Sequence, residues 1–140
     1  MTALDRELLA EKAAAVERHL ERVQTRLPAD AAGLQPATDA SDSVILHLWQ
    51  AVQITIDLAL AACLKANLGT PANYGEAFRK LRDAGWLEPQ LADRLAAAAA
   101  FRDVVAHGYE RLDMEKVYRA ASSGPQDLRR FLAVLATHTL

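Results

Sequence analysis

The stretch from Val44 to Leu68 constrains the fold more than any other part of the chain, because apolar residues occupy nearly every side of its helical wheel. Val44, Ile45, Leu48, Trp49, Val52, Ile56, Ala59, Leu60 and Cys63 recur at three- and four-residue steps. The alternation Ile54-Thr55-Ile56-Asp57-Leu58 would suit a strand by itself, but it sits within too long a run of Ala and Leu. The length would also suit a membrane crossing, yet His47, Gln50, Gln53, Asp57 and Lys65 interrupt it. A helix with no polar face has to be enclosed by several neighbours, in a bundle or at a dimer seam. Its polar residues then need partners too: His47, Gln50, Gln53 and Asp57 form a strip that is either an internal hydrogen-bond network or the lining of a cleft.

The rest of the chain offers the neighbours. A hydrophobic fraction of 51% with only 6% aromatic residues reflects abundant Ala and Leu, and few Gly or Pro break them up, so the class is all-α. At 140 residues the chain makes one domain, 1–140, with room for a core that needs no disulfide or metal. A first helix is expected over 2–27, with Leu4, Leu8, Leu9, Ala13, Val16, Leu20, Val23 and Leu27 inward and alternating charges outward; His19, among those charges, reads as exposed. A loop over 28–40 follows, and Ser41 or Asp42 is the expected cap of helix two, which Gly69 ends. Helix three turns Tyr74, Ala77, Phe78 and Leu81 inward and stops at Gly85. Helix four starts near Pro89 and carries five consecutive alanines, Ala96 to Ala100, a surface another backbone can approach within the bundle or across a dimer. Gly108 is expected to leave this helix in a left-handed turn, and Asp113 to cap a helix over 114–121. Ser122, Ser123, Gly124 and Pro125 are then expected to break the chain before a last short helix from Leu128.

Several function classes lose support. Cys63 is the sole cysteine and lies in an apolar run, so it reads as a small buried hydrophobe in a reducing compartment. Asp5, Glu7 and Glu11 spoil any signal-peptide pattern, which points to the cytoplasm. A net charge of −2 argues against a general nucleic-acid coat, though not against a local phosphate site. There is no Gly-rich phosphate loop, HExxH, CxxC or Gly-x-Ser-x-Gly elbow.

Chemistry concentrates instead in Arg102-Asp103-Val104-Val105-Ala106-His107-Gly108-Tyr109. Helical geometry puts Asp103 and His107 one turn apart, and Arg102 and Tyr109 on nearly the same stripe. Cleavage of RNA needs only proton transfer and charge stabilisation, since the 2′-hydroxyl is an internal nucleophile. His107 can move the proton, Arg102 can hold the phosphate, and Asp103 can orient the imidazole, with no metal or other cofactor required. Asp57 and Gln50 are candidates to line the same cleft. The bland alternatives are a helix-end salt bridge for Arg102 and a packing role for Tyr109.

The pattern Arg-x4-His-x-Tyr resembles the motif of HepT-like toxins, ribonucleases of the HEPN superfamily. Leu48-Trp49-Gln50-Ala51 through Ile56-Asp57-Leu58-Ala59, Tyr74-Gly75-Glu76-Ala77-Phe78, Gly85-Trp86-Leu87, Phe101-Arg102-Asp103 and Leu112-Asp113 to Val117-Tyr118 resemble that family in the same order, over nearly the whole chain. The resemblance implies a HEPN-type antiparallel helical bundle with extra short C-terminal helices. It further implies a homodimer that brings two motifs together across a cleft, where RNA, transfer or messenger, is cut without metal. Arg102 and His107 would be the catalytic pair. Asp103 takes a position where many members carry Asn, and unless it pairs with Arg102 or His107 it would repel substrate. The family is encoded beside an MNT-type nucleotidyltransferase antitoxin, in type VII toxin–antitoxin systems, that transfers AMP to the motif tyrosine, here Tyr109. Two other readings compete: a non-catalytic nucleotide- or substrate-binding partner of a nucleotidyltransferase, and a purely structural dimerisation domain.

Overall fold

Every helix begins on a side chain able to cap it or on a proline that needs no cap. The computed structural model describes residues 5–139, with α1 at Arg6–Arg26, α2 at Asp39–Lys65, α3 at Tyr74–Asp83, α4 at Pro89–Gly108 and α5 at Met114–Ala136. The expected helix start at Thr2 and the Leu4 position lie outside the described residues. Asp5 accepts hydrogen bonds from the Glu7 and Leu8 amides, Asn73 from Glu76, and Asp113 from Glu115 and Lys116, each occupying donors that a helix start leaves unpaired. Pro89 opens α4, where its missing N–H costs nothing.

The start of α2 differs from expectation. Thr38, not Ser41 or Asp42, is the cap: its hydroxyl accepts from the Ser41 amide while the Ser41 hydroxyl accepts from the Thr38 amide, a reciprocal box in which Ser41 is buried. Asp42 is thereby left for another partner. The end of α2 also differs. Asn67, with φ of 59°, makes the left-handed exit, and the Leu68 amide donates back to the Cys63 carbonyl at 2.9 Å, so the stop comes two residues before Gly69. Gly85 acts as expected for α3, with φ of 85° and the Trp86 amide donating to the Leu81 carbonyl.

The central helix is enclosed as its composition demands: α2 packs against α1, α3, α4 and α5. By length and hydropathy it could cross a membrane, but Val44, Ile45, Leu48, Val52, Ile56, Leu58 and Cys63 are buried against the other helices. Phe78 of α3 and Phe131 of α5 meet edge to face at 5.3 Å beneath it. Trp86 stacks on His138 at 3.7 Å and ties the turn after α3 to the end of α5.

The two short C-terminal helices expected from the Ser122-Ser123-Gly124-Pro125 break are one helix, α5, with Pro125 inside it. An interior proline costs about 3 kcal/mol, but α5 has one continuous apolar face in Val117, Ala121, Leu128, Phe131 and Leu135, and Pro125 is buried within that face. The hydroxyls of Ser122 and Ser123 donate to the carbonyls one turn earlier, Tyr118 and Arg119, rather than competing from a turn. Tertiary packing overrides the local break signal. The Arg129 guanidinium, bonded to Glu17 at 2.7 Å, and the Tyr118 hydroxyl, bonded to the Pro28 carbonyl at 2.9 Å, then hold α5 antiparallel to α1.

The alanine block packs only in part. Ala99 is buried, whereas Ala97 and Ala98 line a cavity of about 200 Å³ between α2, α4 and α5, with the Arg94–Asp127 ion pair at its edge.

Candidate active site

The C-terminal half of α4 lies antiparallel to α2 and presents the motif along it. Arg102 reaches Gln53 of α2 and Tyr109 reaches Asp42, so the stripe shared by Arg102 and Tyr109 faces α2. Gly108 does not turn left-handed: its φ is −144°, and Tyr109 continues in right-handed helical geometry into a short 3₁₀ turn, Tyr109–Arg111. The bond to Asp42 explains why the chain stays wound there. A left-handed residue at Gly108 would swing the Tyr109 ring off the stripe.

Arg102 is held on several sides. Its Nε donates to Gln53 Oε1 at 2.7 Å and one terminal nitrogen donates to Asp103 Oδ1 at 3.1 Å. Gln53 in turn donates from Nε2 to Asp57 Oδ1 at 3.0 Å. The guanidinium carbon lies 4.9 Å from the centre of the Trp49 ring and 5.6 Å from that of Tyr74. The side chain is 18% exposed, and its other N–H groups have no acceptor among the described residues. A planar cation clamped at one edge and open at the other suits two-point recognition of a phosphate.

Tyr109 is 45% exposed, and its hydroxyl donates to Asp42 Oδ1 at 2.5 Å. Partial burial of the phenol, followed by the hydrogen bond and the negative charge of Asp42, pushes its pKa up to about 12. Asp42, Ile45, Leu46, Trp49, Val105, Ala106 and Tyr109 line an open groove of about 540 Å³ between α2 and α4. Leu46, on its wall, is 51% exposed, and Val104 of α4, which does not line it, is 56% exposed.

The remaining sequence-predicted residues divide. His107 is exposed on the last turn of α4, and its side chain has no hydrogen-bond partner among the described residues. Five residues along a helix correspond to roughly 140° of rotation, so His107 points away from the α2-facing stripe that holds Arg102. Asp103 pairs with Arg102 and forms no hydrogen bond with His107. Asp57 joins the Arg102 network through Gln53, while Gln50 is half-buried and makes no side-chain hydrogen bond among the described residues. Sequence reasoning placed Gln53 in the polar strip without giving it a role, and it missed Trp49, Tyr74 and Asp42. The one-turn spacing of Gln53 and Asp57 was the available signal for the first; a partner for Asp42 requires knowing that Thr38 already caps α2.

The same strip has a second end. His47 does not join the motif but meets His19 of α1, Nδ1 to Nδ1 at 3.0 Å, with ring centres 5.3 Å apart. His19 is therefore half-buried and paired, not a free surface residue. Burial, then the charge of His47 and of Arg22 and Arg18, lowers the pKa of His19; burial, then Arg22 and Arg26, lowers that of His47.

The chain is similar to known proteins over most of its length. The mRNA nuclease HepT of Shewanella oneidensis is 24% identical over 129 residues, covering 92% of this chain and 96% of the relative. The crystal structure of a toxin–antitoxin with AMP-PNP superposes with a TM-score of 0.85 at 23% identity, over 94% of this chain and 98% of the other. The tri-AMPylated HEPN toxin of Shewanella oneidensis, in complex with its MNT antitoxin, gives a TM-score of 0.82 at 24% identity, over 92% and 96% of the two chains. Residues 16–135 match the family described as Ribonuclease HepT-like, and the chain belongs to that family.

Proposed function

We propose that this protein is the toxin of a HEPN/MNT toxin–antitoxin pair, a cytoplasmic, metal-independent endoribonuclease whose catalytic residues are Arg102 and His107. The observation that carries the reading is the contrast within one helix turn and a half. Arg102 is fixed by Gln53, Asp103 and two aromatic rings with donors still open, while His107 stands exposed with no side-chain partner among the described residues. Arg102 holds the scissile phosphate and offsets the charge that develops on it. His107 takes the proton from the 2′-hydroxyl or gives one to the leaving oxygen. Asp103 balances the charge of Arg102 and keeps its planar face oriented. His107→Ala should abolish RNA cleavage and growth inhibition without lowering the melting temperature; undiminished cleavage by that variant would sink the assignment.

The site is completed by a second copy of the chain. Arg102 and His107 lie on different sides of α4, and α2 and α4 expose the apolar side chains of Leu46 and Val104. Two such faces brought together cover apolar surface and bring two histidines into one cleft, one for each proton transfer. Val104→Asp should shift the protein from dimer to monomer in light scattering and cut cleavage in parallel. A fully active monomer would exclude a composite site.

Neutralisation follows from the position of Tyr109. An MNT-type nucleotidyltransferase, the class of partner seen with the Shewanella toxin, would transfer AMP to the Tyr109 hydroxyl. The adduct adds an anionic phosphate to the groove lined by Asp42, Trp49 and Tyr109 and obstructs RNA there. Mass spectrometry of the protein coexpressed with its transferase should find AMP on Tyr109 and none on Tyr109→Phe.

A further inference from the structure

The carboxylate of Asp42 has one side-chain partner among the described residues, the Tyr109 hydroxyl, reached across 67 positions of sequence. It is not engaged in capping α2, because Thr38 and Ser41 do that work for each other. The pair forms a wall common to two open grooves, the larger one between α2 and α4 and another of about 300 Å³ lined by Pro36, Ala37 and Met114. A nucleotide can therefore approach the phenol oxygen while Asp42 holds its proton. Among the described residues, no lysine or arginine lines either groove. This chain thus supplies the acceptor hydroxyl and a base but no cation for a triphosphate, which the transferase would have to bind.

We propose that Asp42 is the general base for nucleotidyl transfer to Tyr109, a role that rests on the AMP-transfer reading above. As the phenol oxygen bonds to the α-phosphorus of ATP, the bond from that phosphorus to the bridging oxygen of the β-phosphate breaks and pyrophosphate leaves with the electron pair. The phenolic proton passes to Asp42 Oδ1 and then to water. At rest, partial burial and then the hydrogen bond to Asp42 make the free phenol harder to ionise, its pKa pushed up to about 12, so the bare phenolate contributes little at neutral pH. As the oxygen–phosphorus bond forms, the phenol proton becomes acidic enough for a carboxylate to accept, the same division of labour by which an aspartate serves a hydroxyl in kinase-type phosphoryl transfer. The product loses the O–H donor and sets an anionic phosphate against Asp42, so the modified tyrosine cannot return to its resting position.

The test uses the purified full chain, its MNT-type transferase and ATP, with AMP on Tyr109 followed by mass spectrometry. Asp42→Asn keeps an oxygen that can accept the hydrogen bond but removes the base. It should lower the turnover rate about 100-fold with little change in the KM for ATP. The residual rate should climb about tenfold per pH unit, because the reaction then draws on ionised phenol. Asp42→Glu should restore part of the rate, and an unaltered melting temperature for Asp42→Asn separates chemistry from folding. A rate for Asp42→Asn equal to wild type, with AMP still forming on Tyr109, would overturn the role of Asp42 alone. Absence of AMP from wild-type Tyr109 would overturn the transfer reading and this role with it.

Discussion

One helix, α2, carries two polar seams, and they use histidine and charge in opposite ways. Toward α1, His47 closes on His19, and nearby arginines together with burial favour the neutral rings. Toward α4, Gln53 and Asp42 reach out to Arg102 and Tyr109, while His107 has no side-chain partner among the described residues. A histidine whose hydrogen bonding is satisfied inside the fold serves the fold. A histidine presented to solvent keeps its ring nitrogens open, as the proposed role of His107 requires. Residue type alone did not separate the two; satisfaction of their hydrogen-bonding groups does.

The sharpest way to break this comparison is to exchange the two histidines' fates. His107→Asn should lower the rate of RNA cleavage about 1,000-fold, whereas His47→Asn should leave it within a few-fold. Equal losses from both would erase the distinction. Next in size, Arg102→Lys should lower cleavage about 100-fold, because an ammonium cannot reproduce the side-on bond to Gln53 and the open fork toward phosphate. Gln53→Ala acts only through the orientation of Arg102 and should cost about tenfold, raising KM and lowering kcat while Gln53→Glu recovers part of the loss.

The structural seam should show itself in pH. His19 and His47 have folded-state pKa values below the ordinary 6.5, so they favour the folded state most when neutral. That contribution is present above pH 6.5 and is lost as pH falls through the lowered values. The melting temperature should drop by about 2 °C between pH 7.5 and 5, and the drop should shrink in His19→Asn. The smallest effect belongs to the link between α1 and α5. Glu17 is held below the usual carboxylate range chiefly by its hydrogen bond to Arg129, so this pair helps at neutral pH and fails on acidification. Both side chains are partly exposed, and Arg129→Ala should lower the melting temperature by about 1 °C at pH 7.

Much of this was legible before any coordinates. Helix content, the enclosure of α2, the cap at Asp113, the helix start at Pro89, the inward set of α3 and the clustering of Arg, His and Tyr from Arg102 to Tyr109 all follow from short-range rules of spacing and capping. The errors share a cause. Ser122 to Pro125 read as a break because local propensity was weighed without the buried face that keeps α5 whole, and Gly108 read as a left-handed exit because the pull of Asp42 on Tyr109 acts across 67 residues. His19 read as surface for the same reason, since its partner lies 28 residues away.

By itself, then, the chain determined which segments are helical, which faces are apolar and where the chemistry-bearing residues cluster, because these depend on interactions within a turn or two. Only the tertiary structure decided which side of α2 meets which neighbour. That choice pairs His47 with His19, clamps Arg102, gives Asp42 to Tyr109 and leaves His107 exposed. Each outcome depends on contacts between helices far apart in sequence, where burial and hydrogen-bond satisfaction outweigh the preferences of any single residue.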